Sequence, residues 1–133
     1  MIKVLFVGGN KRGIPQLSRT DIHVDYVQNG MIALSAAQTQ DFDIIIIEDQ
    51  LPLMTPMRLI KELISINSTV PVLGIIRSDE ASMNLLDNFG VGLFGCIEPE
   101  THSNEEVLEL LNSAKQFHDF LKDVPKISRR HFS

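Results

Sequence analysis

In the run DFDIIIIEDQLPLM, Asp41 to Met54, four consecutive isoleucines lead into two adjacent acids, with a proline three residues later. Carboxylates at the end of so apolar a segment either do chemistry, by holding a cation or accepting a group, or mark where the strand meets water. Successive strand residues face opposite sides, so Glu48 and Asp49 cannot serve one pocket equally. A second candidate is VGGNKRGIP, Val7 to Pro15, because glycines after a strand free backbone N–H groups for anions. Gly8 and Gly13 have the separation of phosphate-loop glycines, but Ile14 and Pro15 stand where lysine and a hydroxyl residue are needed, and no G-x-G-x-x-G occurs. A small-molecule or nucleotide site on the Gly8–Gly13 loop is therefore a minor alternative. His23, His102, His118 and His131 lack metal-ligand spacing, and no metal site is expected. His118 reads as a helix-surface residue rather than a catalytic base. With no nucleophile-elbow signature either, no catalytic residue is assigned and the chain is not expected to be an enzyme.

These residues need elements to position them. Short apolar runs at Ile2–Val7, Ile22–Gln28, Phe42–Ile47, Pro71–Ile76 and Leu93–Ile97 predict five strands. Between them lie a brief segment at Ile14–Arg19 and helical patterns at Met31–Gln40, Pro56–Ile66 and Ala81–Phe89. A long helix from Asn104 to about Leu121 closes the chain. The strands read as continuous apolar runs, as in parallel sheets covered on both faces. Thr55 before Pro56 predicts an N-cap with proline at the first helical position, and Ser103 with Glu106 a capping box. Val107, Leu110, Leu111, Ala114, Phe117 and Leu121 form the predicted buried stripe of the last helix.

Bulk properties restrict the function. The 133 residues, 44% apolar, suit one domain with a real core. Net charge is −5, but residues 122–133 carry a net +3, leaving −8 on residues 1–121. A body this acidic is unsuited to direct nucleic-acid binding, which depends on neutralising phosphates. Cys96 is the only cysteine, which excludes an intrachain disulfide. With no segment apolar enough to span a membrane and no secretory leader pattern, a cytoplasmic location without membrane contact is expected.

Taken in order, KVLFV, NGMIAL, DFDIIIIEDQLP, VPVLGII and IEP resemble the receiver domain of bacterial two-component response regulators, CheY-like domains of flavodoxin-like fold. The resemblance covers residues 1–121 and implies an α/β three-layer sandwich with a five-stranded parallel sheet of order 2-1-3-4-5. The first helix is expected to be shortened, because Gly13 and Pro15 interrupt it. Residues 122–133 are then expected to form a basic linker or tail toward an output domain. In that family two acids after the first strand hold Mg²⁺, an aspartate takes a phosphoryl group, and a hydroxyl and a lysine read it. Here those positions hold Gly8 and Gly9, Glu48, Ile76 and Glu98. The resemblance therefore implies a pseudo-receiver in which Mg²⁺ binding is weak or absent, with no other cofactor. Asp49 is the alternative acceptor, and a receiver phosphorylated at Glu48 or Asp49 in a phosphorelay is the alternative function. Glu98 and Glu48 are expected to repel each other, with Arg77, Lys11 or Arg12 compensating their charge. The family's fourth-helix, fifth-strand and fifth-helix face implies a protein partner or homodimer through Met83, Leu86 and Phe94, and a role in phosphorelay signalling and transcription regulation.

Overall fold

The computed structural model describes residues 1–8, 13–66, 68–77 and 89–123. Strands β1 (Ile2–Val7), β2 (Ile22–Val27), β3 (Ile44–Glu48), β4 (Val72–Ile75) and β5 (Gly95–Ile97) form one parallel sheet of order β2-β1-β3-β4-β5. Helices α1 (Gly30–Thr39), α2 (Pro56–Ser65) and α3 (Asn104–Lys122) cover it, and a single 3₁₀ turn, Pro15–Leu17, links β1 to β2. Of the expected Ala81–Phe89 helix, all but Phe89 lies outside the described residues.

Residue alternation along the strands divides the core in two. Val4, Phe6, Ile44, Ile46, Leu73, Ile75 and Ile97 pack against Val107, Leu111 and Ala114 of α3 and against Ile14 and Leu17 of the 3₁₀ turn. Leu5, Val7, Ile45 and Ile47 pack against Ala33 of α1 and Leu59, Ile60 and Leu63 of α2. All four isoleucines of β3 are fully buried, which is why this strand has no polar alternation. By the same parity, Glu48 continues the Ile44–Ile46 side, toward α3 and the 3₁₀ turn.

The caps form as the sequence predicts. The Thr55 hydroxyl accepts from Arg58 N, and Ser103 and Glu106 close a reciprocal box at 3.1 and 3.0 Å. Asn29 additionally caps α1 through Ile32 N. The buried stripe of α3 differs from the predicted one, because the helix turns Val107, Leu111, Ala114 and His118 inward. Phe117 falls on the flank, 43% exposed, and stacks on Phe94 with ring centroids 5.4 Å apart. His118 is therefore not a surface residue. It is 4% exposed, with Nδ1 3.4 Å from the Thr69 carbonyl.

Candidate functional site

Ligand crevices of open α/β sheets lie beyond the carboxyl ends of the strands at the switch point of strand order, here between the paired strands β1 and β3. At the end of β3 the Glu48 side chain is buried, and its Oε1 accepts a 2.6 Å charge-assisted hydrogen bond from Arg77 Nη2. The same nitrogen also donates to the Gly13 carbonyl at 3.3 Å. Arg77 lies just past β4, so one guanidinium ties three segments together: the end of β3, the end of β4 and the turn after β1.

Gly8 forms the floor of this arrangement. Its amide donates to Val27 O at 3.0 Å, and a Cβ placed on it would sit 2.9 Å from Glu48 Cγ and 3.0 Å from Glu48 Cδ. The Glu48 methylenes thus occupy the space that a side chain at position 8 would need. Gly13 has φ +61°, and a Cβ there would meet the Tyr26 hydroxyl at 2.5 Å, so glycine is required on both backbone and steric grounds.

Asp49 lies one residue past the strand and is partly buried; burial pushes its carboxyl upward, the neighbouring Glu48 charge adds to the rise, and Arg77 opposes it. Ile76 is 5% exposed, with its amide donating to Ile97 O, and presents only hydrocarbon at the end of β4.

Glu98 has partners on its own loop: its carboxylate accepts from Thr101 Oγ1 at 3.3 Å and lies 3.8 Å from His102 Nε2, while its amide donates to His102 Nδ1. These short-range partners hold it on its own loop, and Arg77 reaches Glu48 alone of the two. The loop is fastened from below by the Gln16 amide, which donates to Pro99 O at 2.8 Å and His102 O at 3.1 Å.

After β3, Met54 N donates to Pro52 O around Leu53, which has φ +68° and is 82% exposed. This is a γ-turn, a costly conformation for leucine. Met54 turns inward against Gly30 at the start of α1. Gly9, Lys11, Arg12, Met83 and Leu86 lie outside the described residues. Among the described residues no group of three or more His, Cys, Asp or Glu side chains could hold a metal, and no helix is long and apolar enough to cross a membrane.

No family model and no curated protein matches the chain. Solved structures do. The receiver domain of a Pseudomonas aeruginosa sensor histidine kinase, determined with magnesium in its active-site cleft, superposes with a TM-score of 0.68 at 18% identity, covering 86% of this chain and 98% of that one. The receiver domain of a Francisella response regulator gives 0.68 at 21% identity over 87% and 98%. The chemotaxis response regulator CheY4 of Vibrio cholerae gives 0.67 at 25% identity over 86% and 98%. The chain has the receiver-domain fold. Its sheet order and crevice position are those expected of that fold, and the Glu48 end of β3 lies at the crevice.

From the acid-rich rim, sequence reasoning offered Arg77, Lys11 or Arg12 as the compensating cation, and Arg77 is seen paired with Glu48. It missed the Gly13 carbonyl as the second acceptor, the packing of Gly8 under Glu48 and the Gln16 fastening. The one available signal was the φ-permissive Gly13 beside a truncated helix.

Proposed function

We propose that this domain is a receiver-type signalling module of the two-component kind that works without phosphorylation, through a protein partner, an output domain or a second copy of itself. The observation that carries the reading is the Glu48–Arg77 pair. The residue at the acceptor position is buried, its Oε1 is engaged at 2.6 Å, and its methylenes rest on a glycine that has no side-chain oxygen to offer. The residues present do not fit Mg²⁺. That ion requires octahedral oxygen ligands and surrenders water reluctantly, and here Gly8 supplies no carboxylate while Glu48 is held by a cation. Ile76 and Glu98 supply neither the hydroxyl nor the positive charge that would read a phosphoryl group.

Partner contact is supported by the exposed Phe94–Phe117 pair at the β5 edge, with Phe120 also exposed near the end of α3. Without a covalent input, the switch must come from a partner or ligand that prefers one of two conformations.

The test is a Mg²⁺ titration followed by amide chemical shifts. The reading predicts no saturable shift of Gly8, Glu48, Asp49 or Arg77 at concentrations that saturate a Mg²⁺-binding receiver. Saturation at those positions overturns it.

A further inference from the structure

The short link between β1 and β2 leaves space. Where a full helix would pack, the 3₁₀ turn Pro15–Leu17 borders an open cavity of about 510 Å³ lined by Gly13, Pro15, Leu17, Ser18, Tyr26 and Arg77. This is within the size range of small-molecule sites, roughly 300–1,000 Å³. Its chemistry is divided. Pro15, Leu17 and the Tyr26 ring supply hydrocarbon, and the Tyr26 ring is braced by Phe6 at a centroid distance of 5.4 Å. Ser18, the Tyr26 hydroxyl and the guanidinium of Arg77 supply polar groups. Of the five N–H donors on that guanidinium, those on Nη2 reach Glu48 and Gly13, and the side chain remains 39% exposed where it borders the cavity.

We propose that this cavity binds a small aromatic carboxylate, its carboxylate on the guanidinium edge of Arg77 that meets no acceptor among the described residues and its ring against Tyr26, Pro15 and Leu17. A planar fork that matches a carboxylate and stacks on rings explains the class. The Arg77–Glu48 pair is already neutral, so each further negative charge is opposed, and a singly charged anion is opposed less than a phosphate dianion. Because the same guanidinium holds Glu48 and the Gly13 carbonyl, occupation of the cavity alters the ties between β3, β4 and the β1–β2 turn. The ligand thereby supplies a non-covalent input at the position where a receiver takes its phosphoryl group. Any preference of the ligand for one arrangement of Arg77 must appear reciprocally as a preference of that arrangement for ligand.

The inference rests on the reading of Glu48 as occupied, yet its test reads ligand binding and not labelling, so each can fail without the other. The full chain is titrated with sodium benzoate, inorganic phosphate and benzyl alcohol, following amide shifts. Saturable benzoate binding is expected, with shifts centred on Gly13, Ser18, Tyr26 and Arg77, and weaker binding of the other two. Ser18→Phe, which fills the cavity from an exposed position and spares the ion pair, weakens benzoate about tenfold or more, a loss of about 1.4 kcal/mol. Arg77→Gln does the same if it folds. No saturable binding, shifts centred elsewhere, or affinity unchanged in Ser18→Phe overturns the site. Phosphate or benzyl alcohol binding as tightly as benzoate overturns the ligand class.

Discussion

At the residue scale, the decisive arrangement is one carboxylate and one guanidinium over a glycine. Removing one member of a largely buried pair leaves the other desolvated without a partner, a larger loss than the pair's net contribution. Arg77 is partly exposed, so the cost is set below that of a fully buried pair: Arg77→Ala is expected to destabilise the fold by about 1–3 kcal/mol. Adding Glu48→Gln to Arg77→Ala recovers part of the loss, since the orphaned charge is gone. Chemical denaturation of the two single variants and the double variant measures this, and strictly additive losses contradict the coupling. The pairing was partly legible in the sequence, where an acid-rich rim called for a cation. The local partners of Glu98, Thr101 and His102, three and four residues on, were not legible from charge alone. A residue's own turn competes on better terms than a distant charge.

At the element scale, the five strands were legible as short apolar runs, and those at VLFV in β1 and IIII in β3 are continuous because a parallel sheet covered on both faces buries them, whereas the strand order was implied by the resemblance to receiver domains. Strand ends were read one or two residues long or short, as at β5, where Leu93 and Phe94 precede the paired residues. The face of α3 was misread for a different reason. Hydropathy favours Phe117 over His118 for burial, but the helical period set by Val107, Leu111 and Ala114 brings position 118 inward. Burial, and secondarily Lys122, pushes the His118 imidazole below its ordinary value, while the Thr69 carbonyl, Asp43 and Asp119 pull the other way. The folded state thus takes up its proton at lower pH than the unfolded chain. The stabilisation is fully present above the ordinary histidine value of about 6.5 and is lost as pH falls through the lower folded value. Thermal unfolding between neutral and mildly acidic pH is expected to show this loss, and His118→Leu to reduce it. An identical pH slope in the variant contradicts the assignment.

At the scale of the whole molecule, the sheet is closed on both faces, yet one surface stays apolar: Phe94 stacks on Phe117, with Phe120 65% exposed one turn along α3. We expect self-association or partner binding through this face. Phe117→Glu should lower the sedimentation coefficient at high protein concentration without lowering the melting temperature, because this ring is not in the core. A monomer at every concentration, in both proteins, contradicts a homodimer.

The central claim, that the acceptor position is occupied and not reactive, is tested most directly by intact mass spectrometry. The chain and a working receiver are each incubated with Mg²⁺ and a small-molecule phosphodonor. The account predicts a phosphoryl adduct on the control and none here. A stoichiometric adduct at Glu48 or Asp49 would contradict it.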